Sequence, residues 1–197
     1  TDAIAALGDS ARGIAVVPPD ISDEALRDLD AKGIRGLRLS TLLSGGVGTE
    51  NIAHMAERVA PLGWHILLHL KSADELPDLV PMIRDLPVDV VLDHMARTTG
   101  PKGVDSAPFR ALLELLTETD TCWTKICSWY RLSGEAAPFA DMRRMAEAVL
   151  AARSDRVLWG TNWPHPLLFE GPMPNDGDLM DQFMEWASTD AVRQAVL

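Results

Sequence analysis

The sequence predicts an α/β fold with parallel strands, namely a (β/α)8 TIM barrel of which about six strand–helix units are present. Three observations support this. Short apolar runs alternate with segments of helical periodicity along the chain. The first run is not followed by the glycine-rich turn that is typical of open nucleotide-binding sheets. Polar residues gather where the strands end, which is where barrel enzymes carry their active sites.

Six apolar runs have the length of strands, at residues 13–17, 34–40, 64–70, 88–94, 122–128 and 156–161. Segments with helical spacing of apolar residues follow at 22–32, 49–60, 73–85, 108–118 and 139–152, and a last helix begins near Leu179. Strands alternating with helices at this spacing predict parallel pairing through right-handed crossovers.

Local signals mark several helix starts. Ser72 and Glu75 have the spacing of a capping box, and Ser22 stands where it can cap the first of these helices. Pro81 lies inside one apolar stripe, so we expect it to kink or shorten that helix. The glycines at 45, 46 and 48 predict a loop, with a phosphate cradle as the weaker alternative.

Both ends of the chain interrupt the pattern. Residues 1–10 resemble the tail of a helix whose strand lies upstream, and residues 195–197 fall inside a helical pattern. A closed barrel needs about eight units in roughly 250 residues. We therefore expect residues 1–197 to be a single barrel domain, truncated at both ends and lacking about two N-terminal strands.

Charge and composition exclude some classes of protein. The chain has 18 Lys and Arg against 29 Asp and Glu, a net charge of −11, whereas a surface that binds nucleic acid needs positive charge. No apolar run is long enough to cross a membrane and no signal peptide opens the chain, so the cytoplasm is the expected location. The only cysteines, Cys122 and Cys127, should face opposite sides of a strand and be core thiols.

The first candidate site residues lie on two neighbouring strands. Arg38 should point into the barrel near its mouth, since the flanking leucines share the other face of the strand. It either clamps a substrate carboxylate or pairs with a neighbouring acid. His65 and His69 share a face but lie about 13 Å apart at ~3.3 Å per residue, so they cannot hold one ion together. His69 is the site candidate, and His65 is structural.

The next two strands carry further candidates. His94 ends its strand and is predicted to be an acid/base group or a metal ligand. Neighbours on a strand face opposite ways, so we expect Asp93 not to orient it. Lys125 lies in an apolar strand and needs a partner, most simply an ion pair. Tyr130 and Arg131 follow that strand, where they either bind substrate or are solvated loop residues.

The most distinctive segment is residues 156–166. Gly160 permits a close approach of the backbone, and two prolines restrict the chain on either side of His165, which fixes the direction of that side chain. We take Asn162 and His165 as site residues, with a merely structural corner as the alternative.

Four segments, at residues 33–38, 92–95, 123–133 and 158–166, together resemble the amidohydrolase-related ("amidohydrolase 2") family, and within it the 2-pyrone-4,6-dicarboxylate lactonase group. The resemblance covers nearly the whole chain and implies a (β/α)8 barrel whose third to eighth strands are present. The His-x-His motif that opens the family's first strand is not in this chain.

By this resemblance, His94 matches the family's strand-end histidine, and Arg38, Tyr130 and Arg131 match positions that hold substrate carboxylates. Asn162 falls where the family usually has an aspartate that acts as base or metal ligand. An amide can only orient a water by hydrogen bonding. The lactonase group implies no cofactor, whereas related decarboxylases and hydrolases use a divalent ion, often zinc.

These residues lead to three hypotheses. In the first, a water attacks a carbonyl of a small carboxylated lactone. Arg38, His69, Tyr130 and Arg131 bind the anionic substrate, His94 donates to the oxyanion or shuttles a proton, and Asn162 with His165 places the water. The second is a metal-dependent decarboxylase on the same barrel. The third is a non-catalytic fragment or binding protein.

Overall fold

The computed structural model describes residues 1–42 and 48–197, and its strands form one parallel sheet of six. The strands are β1 (Gly13–Ala15), β2 (Ile34–Ser40), β3 (His65–His69), β4 (Val90–Leu92), β5 (Cys122–Ile126) and β6 (Val157–Trp159). Each strand pairs with the next one along the chain, so the spatial order never reverses. An open doubly wound sheet reverses its order at a switch point. The prediction of a barrel segment with six units is therefore confirmed.

Helices connect the strands and lie close to the predicted positions. They are α1 (Asp2–Leu7), α2 (Asp23–Ala31), α3 (Ile52–Val59), α4 (Leu76–Asp85), α5 (Ala107–Glu118), α6 (Ala140–Arg153), α7 (Asp176–Trp186) and α8 (Asp190–Val196). None of the helices in the described ranges is both long and apolar enough to cross a membrane. The loop predicted at residues 45–48 lies, except for Gly48, outside the described residues.

Pro81 lies inside α4 and does not shorten it, so the shortening that we expected as one alternative to a kink was wrong. The helix continues to Asp85, four residues beyond the proline. Pro81 lies on the exposed face of the helix. A carbonyl that loses its hydrogen bond on that face can be solvated by water, which lowers the cost of the interruption.

The apolar stripes of the helices pack against the sheet as predicted. Leu112 and Leu116 of α5 and Met142, Met145 and Val149 of α6 are all fully buried. Burying each such side chain contributes about 1.5–3 kcal/mol. The methionines are core residues, and this packing holds the strand ends in fixed relative positions.

The predicted caps are present. The Oγ of Ser72 accepts a hydrogen bond from the amide of Asp74 at 3.2 Å, and Oε1 of Glu75 accepts one from the amide of Ser72 at 2.8 Å. Ser22 accepts from the amide of Ala25 at 3.1 Å. These bonds satisfy amide groups that have no partner within the helix.

The chain leaves three strands through left-handed backbone. After β4, residues 94–97 have φ values of 55°, 49°, 53° and 58° in succession. Ser128 after β5 has φ 58° and Asn162 after β6 has φ 68°. Each non-glycine residue in this region costs about 1–2 kcal/mol, and such strain concentrates at functional sites. The strain therefore marks the same strand ends that the sequence singles out.

Candidate functional site

A buried carboxylate lies at the centre of the first cluster, at the carboxyl ends of β2 to β5. Nη2 of Arg38 lies 3.5 Å from Oδ2 of Asp93, and Nζ of Lys125 lies 3.3 Å from Oδ1. Arg38 also contacts Nδ1 of His69. The ion pair expected for Lys125 is confirmed, and the acid that Arg38 pairs with is Asp93.

These cations keep Asp93 ionised. Burial on its own raises the pKa of the Asp93 carboxyl, but the charges of His94, Lys125 and Arg38 outweigh burial and lower it. Since His94 is itself neutral at neutral pH, the two cationic side chains maintain the carboxylate there. A buried charge that is paired in this way is far less costly than an isolated one.

The two histidines beside Asp93 are neutral. Burial is the main cause that lowers the pKa of His69 to about 3 and that of His94 to about 4, and nearby cations lower both further. Their rings meet edge to face, with centroids 5.3 Å apart. Neutral imidazoles can each donate one N–H and accept one hydrogen bond.

Asp93 and His94 enter the same cluster, contrary to the expectation that they face opposite ways. Nε2 of His94 lies 3.7 Å from Oδ2 of Asp93. Strand β4 ends at Leu92, and His94 already has the left-handed conformation. Strand alternation therefore no longer applies at these two residues.

Cys127 contacts the other side of the His94 ring. Its Sγ lies 2.8 Å from Nδ1 of His94, and burial raises the pKa of the thiol to about 12. Both cysteines are buried and unpaired by any disulfide, as predicted. The contact with His94 was missed, although Cys127 lies two residues after Lys125, on the strand face that points into the barrel.

Two further arginines border this cluster. Burial and the charge of Arg131 lower the pKa of Arg97, whose Nε is buried without a hydrogen bond to any described residue. Arg131 donates from Nη1 to the carbonyl of Pro166 at 3.0 Å. Sequence reasoning missed Arg97; the available signal was its place three residues after a strand-end histidine.

A second cluster joins the ends of β5 and β6 to the start of α7. Nδ2 of Asn162 donates to the hydroxyl oxygens of Ser128 and Tyr130, at 3.1 Å each. The Tyr130 hydroxyl lies 2.7 Å from Nδ1 of His165. On the other side of that ring, Nε2 lies 3.2 Å from Oδ1 of Asp176. Asp176 was not among the predicted site residues.

The two clusters are adjacent. Cys127 contacts His94 in the first cluster, and the next residue, Ser128, contacts Asn162 in the second. Arg131 lies near enough for its charge to lower the pKa of His94. All seven predicted site residues thus lie at the carboxyl ends of the strands or in the segments that follow them.

The donor set of the first cluster does not fit a divalent cation. One ligand atom each from His69, Asp93 and His94 lie within 4.8 Å of one another. However, Arg38 and Lys125 already pair with Asp93, and their charges would repel a metal ion. Cationic and neutral donor groups favour an anion here instead.

Comparisons with known proteins agree with this architecture. Residues 1–197 match the amidohydrolase family model. The chain is 37% identical over 206 residues to a 2-pyrone-4,6-dicarboxylate hydrolase of Comamonas testosteroni, which covers 100% of this chain and 67% of that protein. It is 34% identical over 176 residues to a 4-sulfomuconolactone hydrolase of Rhizobium radiobacter, and this match covers 87% of this chain and 58% of that hydrolase.

A solved structure shows the same fold. A probable 2-pyrone-4,6-dicarboxylic acid hydrolase from Acinetobacter baumannii, with citric acid bound, superposes with a TM-score of 0.82 at 26% identity, over 100% of this chain and 73% of that one. The chain spans about two thirds or less of the length of the two curated relatives. Because the family model covers all 197 residues, this chain belongs to the amidohydrolase family.

Proposed function

We propose that this chain supplies the catalytic face of a lactone hydrolase whose substrate is a small lactone carrying carboxylate groups. The observation that carries the proposal is the concentration of cationic side chains around two neutral histidines. Arg38 and Lys125 pair with the buried carboxylate of Asp93, while the charge of Arg97 acts on His69 and that of Arg131 on His94. The protein as a whole is acidic, so an anionic substrate needs such a local cationic site.

The arginines suit the recognition of carboxylates. A guanidinium can bind a carboxylate through two parallel N–H bonds, which fixes orientation as well as adding affinity. Neither Arg97 nor Arg131 forms an ion pair with a described residue, so both retain donors for a substrate. The two relatives named above are hydrolases of a pyrone dicarboxylate and of a sulfonated lactone, both of which are anionic lactones.

His94 has the chemistry needed to stabilise the oxyanion that forms when water attacks the lactone carbonyl. The thiol of Cys127 retains its proton and can donate it to Nδ1 of His94. The ring proton then lies on Nε2, which becomes a fixed donor for a developing negative charge. In the neighbouring cluster, Asn162 and His165 hold the Tyr130 hydroxyl, and through it they position the attacking water.

The test is an assay of 2-pyrone-4,6-dicarboxylate hydrolysis by the protein as its gene encodes it. Arg131→Gln should lower kcat/KM by about 10- to 100-fold, because a charged hydrogen bond contributes about 1.5–3 kcal/mol. For an uncharged lactone of similar size, the same substitution should lower kcat/KM much less. Arg110→Gln, which removes an exposed arginine of α5, is the matched control.

Two outcomes would overturn the proposal. If the protein hydrolyses no carboxylated lactone, the site only binds such compounds or catalyses another reaction. If it contains zinc in stoichiometric amount and chelation abolishes decarboxylation of an aromatic acid, it is a metal-dependent decarboxylase.

A further inference from the structure

We propose that Tyr130, His165 and Asp176 form a proton relay that accepts the proton of the attacking water, with Tyr130 as the group that touches the water. The inference rests on the proposed lactone hydrolysis and names the base that this reaction requires. The structure carries it through three consecutive contacts, from the Asn162 amide to the phenol, from the phenol to the imidazole, and from the imidazole to the carboxylate.

The carboxylate determines which nitrogen of His165 carries the ring proton. Nε2 lies 3.2 Å from Oδ1 of Asp176, so the proton is most stable on Nε2, facing the negative charge. Nδ1 is then an acceptor. The Tyr130 hydroxyl, 2.7 Å away, must therefore be the donor in its contact with His165. The phenol proton already points at a base.

The phenol oxygen has one acceptor position left for a water. A hydroxyl oxygen has two lone pairs, and the Asn162 amide occupies one of them. The amide nitrogen can only donate, so it does not compete with His165 for the phenol proton. A carboxylate at position 162 would accept that proton and divert it from Nδ1. The asparagine thus favours the direction of transfer that the relay needs.

His165 is held in one orientation. Its side chain is almost completely buried, although the prolines on either side of it are exposed. Its amide donates to the carbonyl of Asn162 at 2.7 Å, closing a tight turn between the two site residues. A base that is fixed in this way loses little conformational entropy when the reaction begins.

Asp176 lies in the first turn of α7 but is not its cap. The cap of α7 is Asn175, whose Oδ1 accepts from the amides of Gly177 at 2.8 Å and Asp178 at 3.2 Å. Oδ1 of Asp176 is buried and makes no aligned hydrogen bond within the described ranges. The Asp176 side chain as a whole is 40% exposed, but this oxygen faces the His165 ring and is shielded from water. The imidazolium that the relay creates compensates its charge.

The proton balance of the step is complete. The water oxygen bonds to the lactone carbonyl carbon while one water proton moves to Oη of Tyr130 and the phenol proton moves to Nδ1 of His165. The ring of His165 becomes an imidazolium beside Asp176. When the tetrahedral intermediate collapses, the ring C–O bond breaks, and the same proton returns through Tyr130 to the leaving oxygen. The product is the open-chain acid.

The experiment compares Asp176→Asn with Asp178→Asn in the full-length protein. Both remove one negative charge from the first turn of α7, but Asp178 is exposed and away from His165. Asp176→Asn should lower kcat for the pyrone dicarboxylate about tenfold with little change in KM, equivalent to ~1.4 kcal/mol of lost transition-state stabilisation. Asp178→Asn should leave both parameters unchanged.

Two further variants test the roles of His165 and Asn162. His165→Gly should lower kcat by about 10²- to 10⁴-fold, and added imidazole should restore part of the loss. Glycine suits this position because His165 has φ 57°. Asn162→Asp should not increase kcat. Thermal unfolding of each variant establishes whether it folds.

A second readout does not depend on activity. Tyr130 is the only tyrosine of residues 1–197, and comparison with Tyr130→Phe assigns the resonance of its labelled phenol carbon in the full-length protein. Asp176→Asn should shift this resonance and Asp178→Asn should not. Full kcat in Asp176→Asn, or a large increase in kcat in Asn162→Asp, would overturn the relay while leaving lactone hydrolysis intact. If the wild-type protein hydrolyses no lactone but Asp176→Asn still shifts the Tyr130 resonance, the proposed function is refuted. The coupling of Tyr130 to Asp176 through His165 would then remain.

Discussion

Cys127 is a residue whose chemistry is set by its surroundings. It is 3% exposed, it contacts a histidine that is also buried, and its thiol faces the negative charge of Asp93. Burial and this charge favour the protonated thiol, whereas a reactive cysteine needs an electropositive, accessible environment. Cys127 is therefore held as a thiol, which can donate a hydrogen bond to Nδ1 of His94, and not as the thiolate that a nucleophile requires.

This assignment predicts how the thiols react. Burial raises the pKa of both Cys122 and Cys127 to about 12, so almost no thiolate exists at mildly alkaline pH. A disulfide reagent should label neither cysteine in the folded protein and both in denaturant, as followed by the absorbance of the released thiolate. Ala53→Cys, on the exposed side of α3, should react at once and serves as the positive control. Rapid labelling of native Cys127 would contradict the assignment.

At the residue scale, the sequence predicted the strand-end side chains but not their contacts. Arg38, His69 and Lys125 lie within regular strands, where alternation of faces gives their direction correctly. Asp93 and Arg97 lie in or beside a left-handed turn, where alternation fails. Asp176 comes from an element far along the chain, and nothing local to it indicates that it meets His165. The roles of all seven predicted residues stay predictions.

At the scale of elements, periodicity and caps located the helices to within a few residues. The segment expected to hold one last helix from near Leu179 is an example: Asn175 caps α7, which begins at Asp176, and a separate helix, α8, follows it. Gly177, a poor helix former, weakens the helical pattern at the start of α7. Five of the six strands are shorter than their apolar runs, and after β4, β5 and β6 the chain turns through left-handed backbone instead of continuing to pair.

The capping box before α4 gives a prediction at this scale. Ser72→Ala should lower the free energy of unfolding by about 1 kcal/mol, because the amide of Asp74 loses its side-chain partner. Chemical denaturation measures this change. Ser106→Ala is the comparison, since Ser106 precedes α5 in the same way but accepts no capping bond. Ser106→Ala removes instead the hydrogen bond from Oγ to the carbonyl of Gly103 at 2.9 Å, so it is an unchanged stability in Ser72→Ala that would show the capping box not to be stabilising.

At the scale of the whole molecule, the unreversed order of six parallel strands brings all their carboxyl ends to one side. Alternation of strands and helices predicted the parallel pairing, and the missing glycine-rich turn and the polar strand ends favoured a barrel over an open doubly wound sheet. That residues 1–197 form a single domain stays a prediction. Net charge could not have located the site, since the cationic cluster is local and the chain as a whole is acidic.

Two buried neutral histidines make the stability of the whole fold depend on pH. An unfolded histidine has a pKa near 6.5, whereas His69 and His94 have pKa values of about 3 and about 4 when folded. Below about pH 6.5 the unfolded state binds more protons than the folded state, so folding becomes less favourable as the pH falls. The loss is up to about 1.4 kcal/mol per pH unit for each histidine until the folded pKa is reached.

Denaturation by urea between about pH 7 and pH 5 tests this dependence above the range in which carboxylates titrate. The wild-type protein should lose stability across that interval, and His94→Gln should lose less because glutamine does not titrate. His54→Gln, on the exposed face of α3, should behave like the wild type. A pH-independent stability in the wild type would refute the prediction.

The left-handed turn after β4 limits which sequences can carry this site. Met95 and Ala96 are completely buried, whereas the residues on either side of them belong to the cluster. Side chains branched at Cβ are the least tolerated with positive φ, so valine, isoleucine or threonine would distort this stretch even where the volume suited the core. Substitutions in this turn are therefore limited to glycine and to side chains that are not branched at Cβ. We expect related proteins to keep the backbone conformation of the turn even where its residues differ.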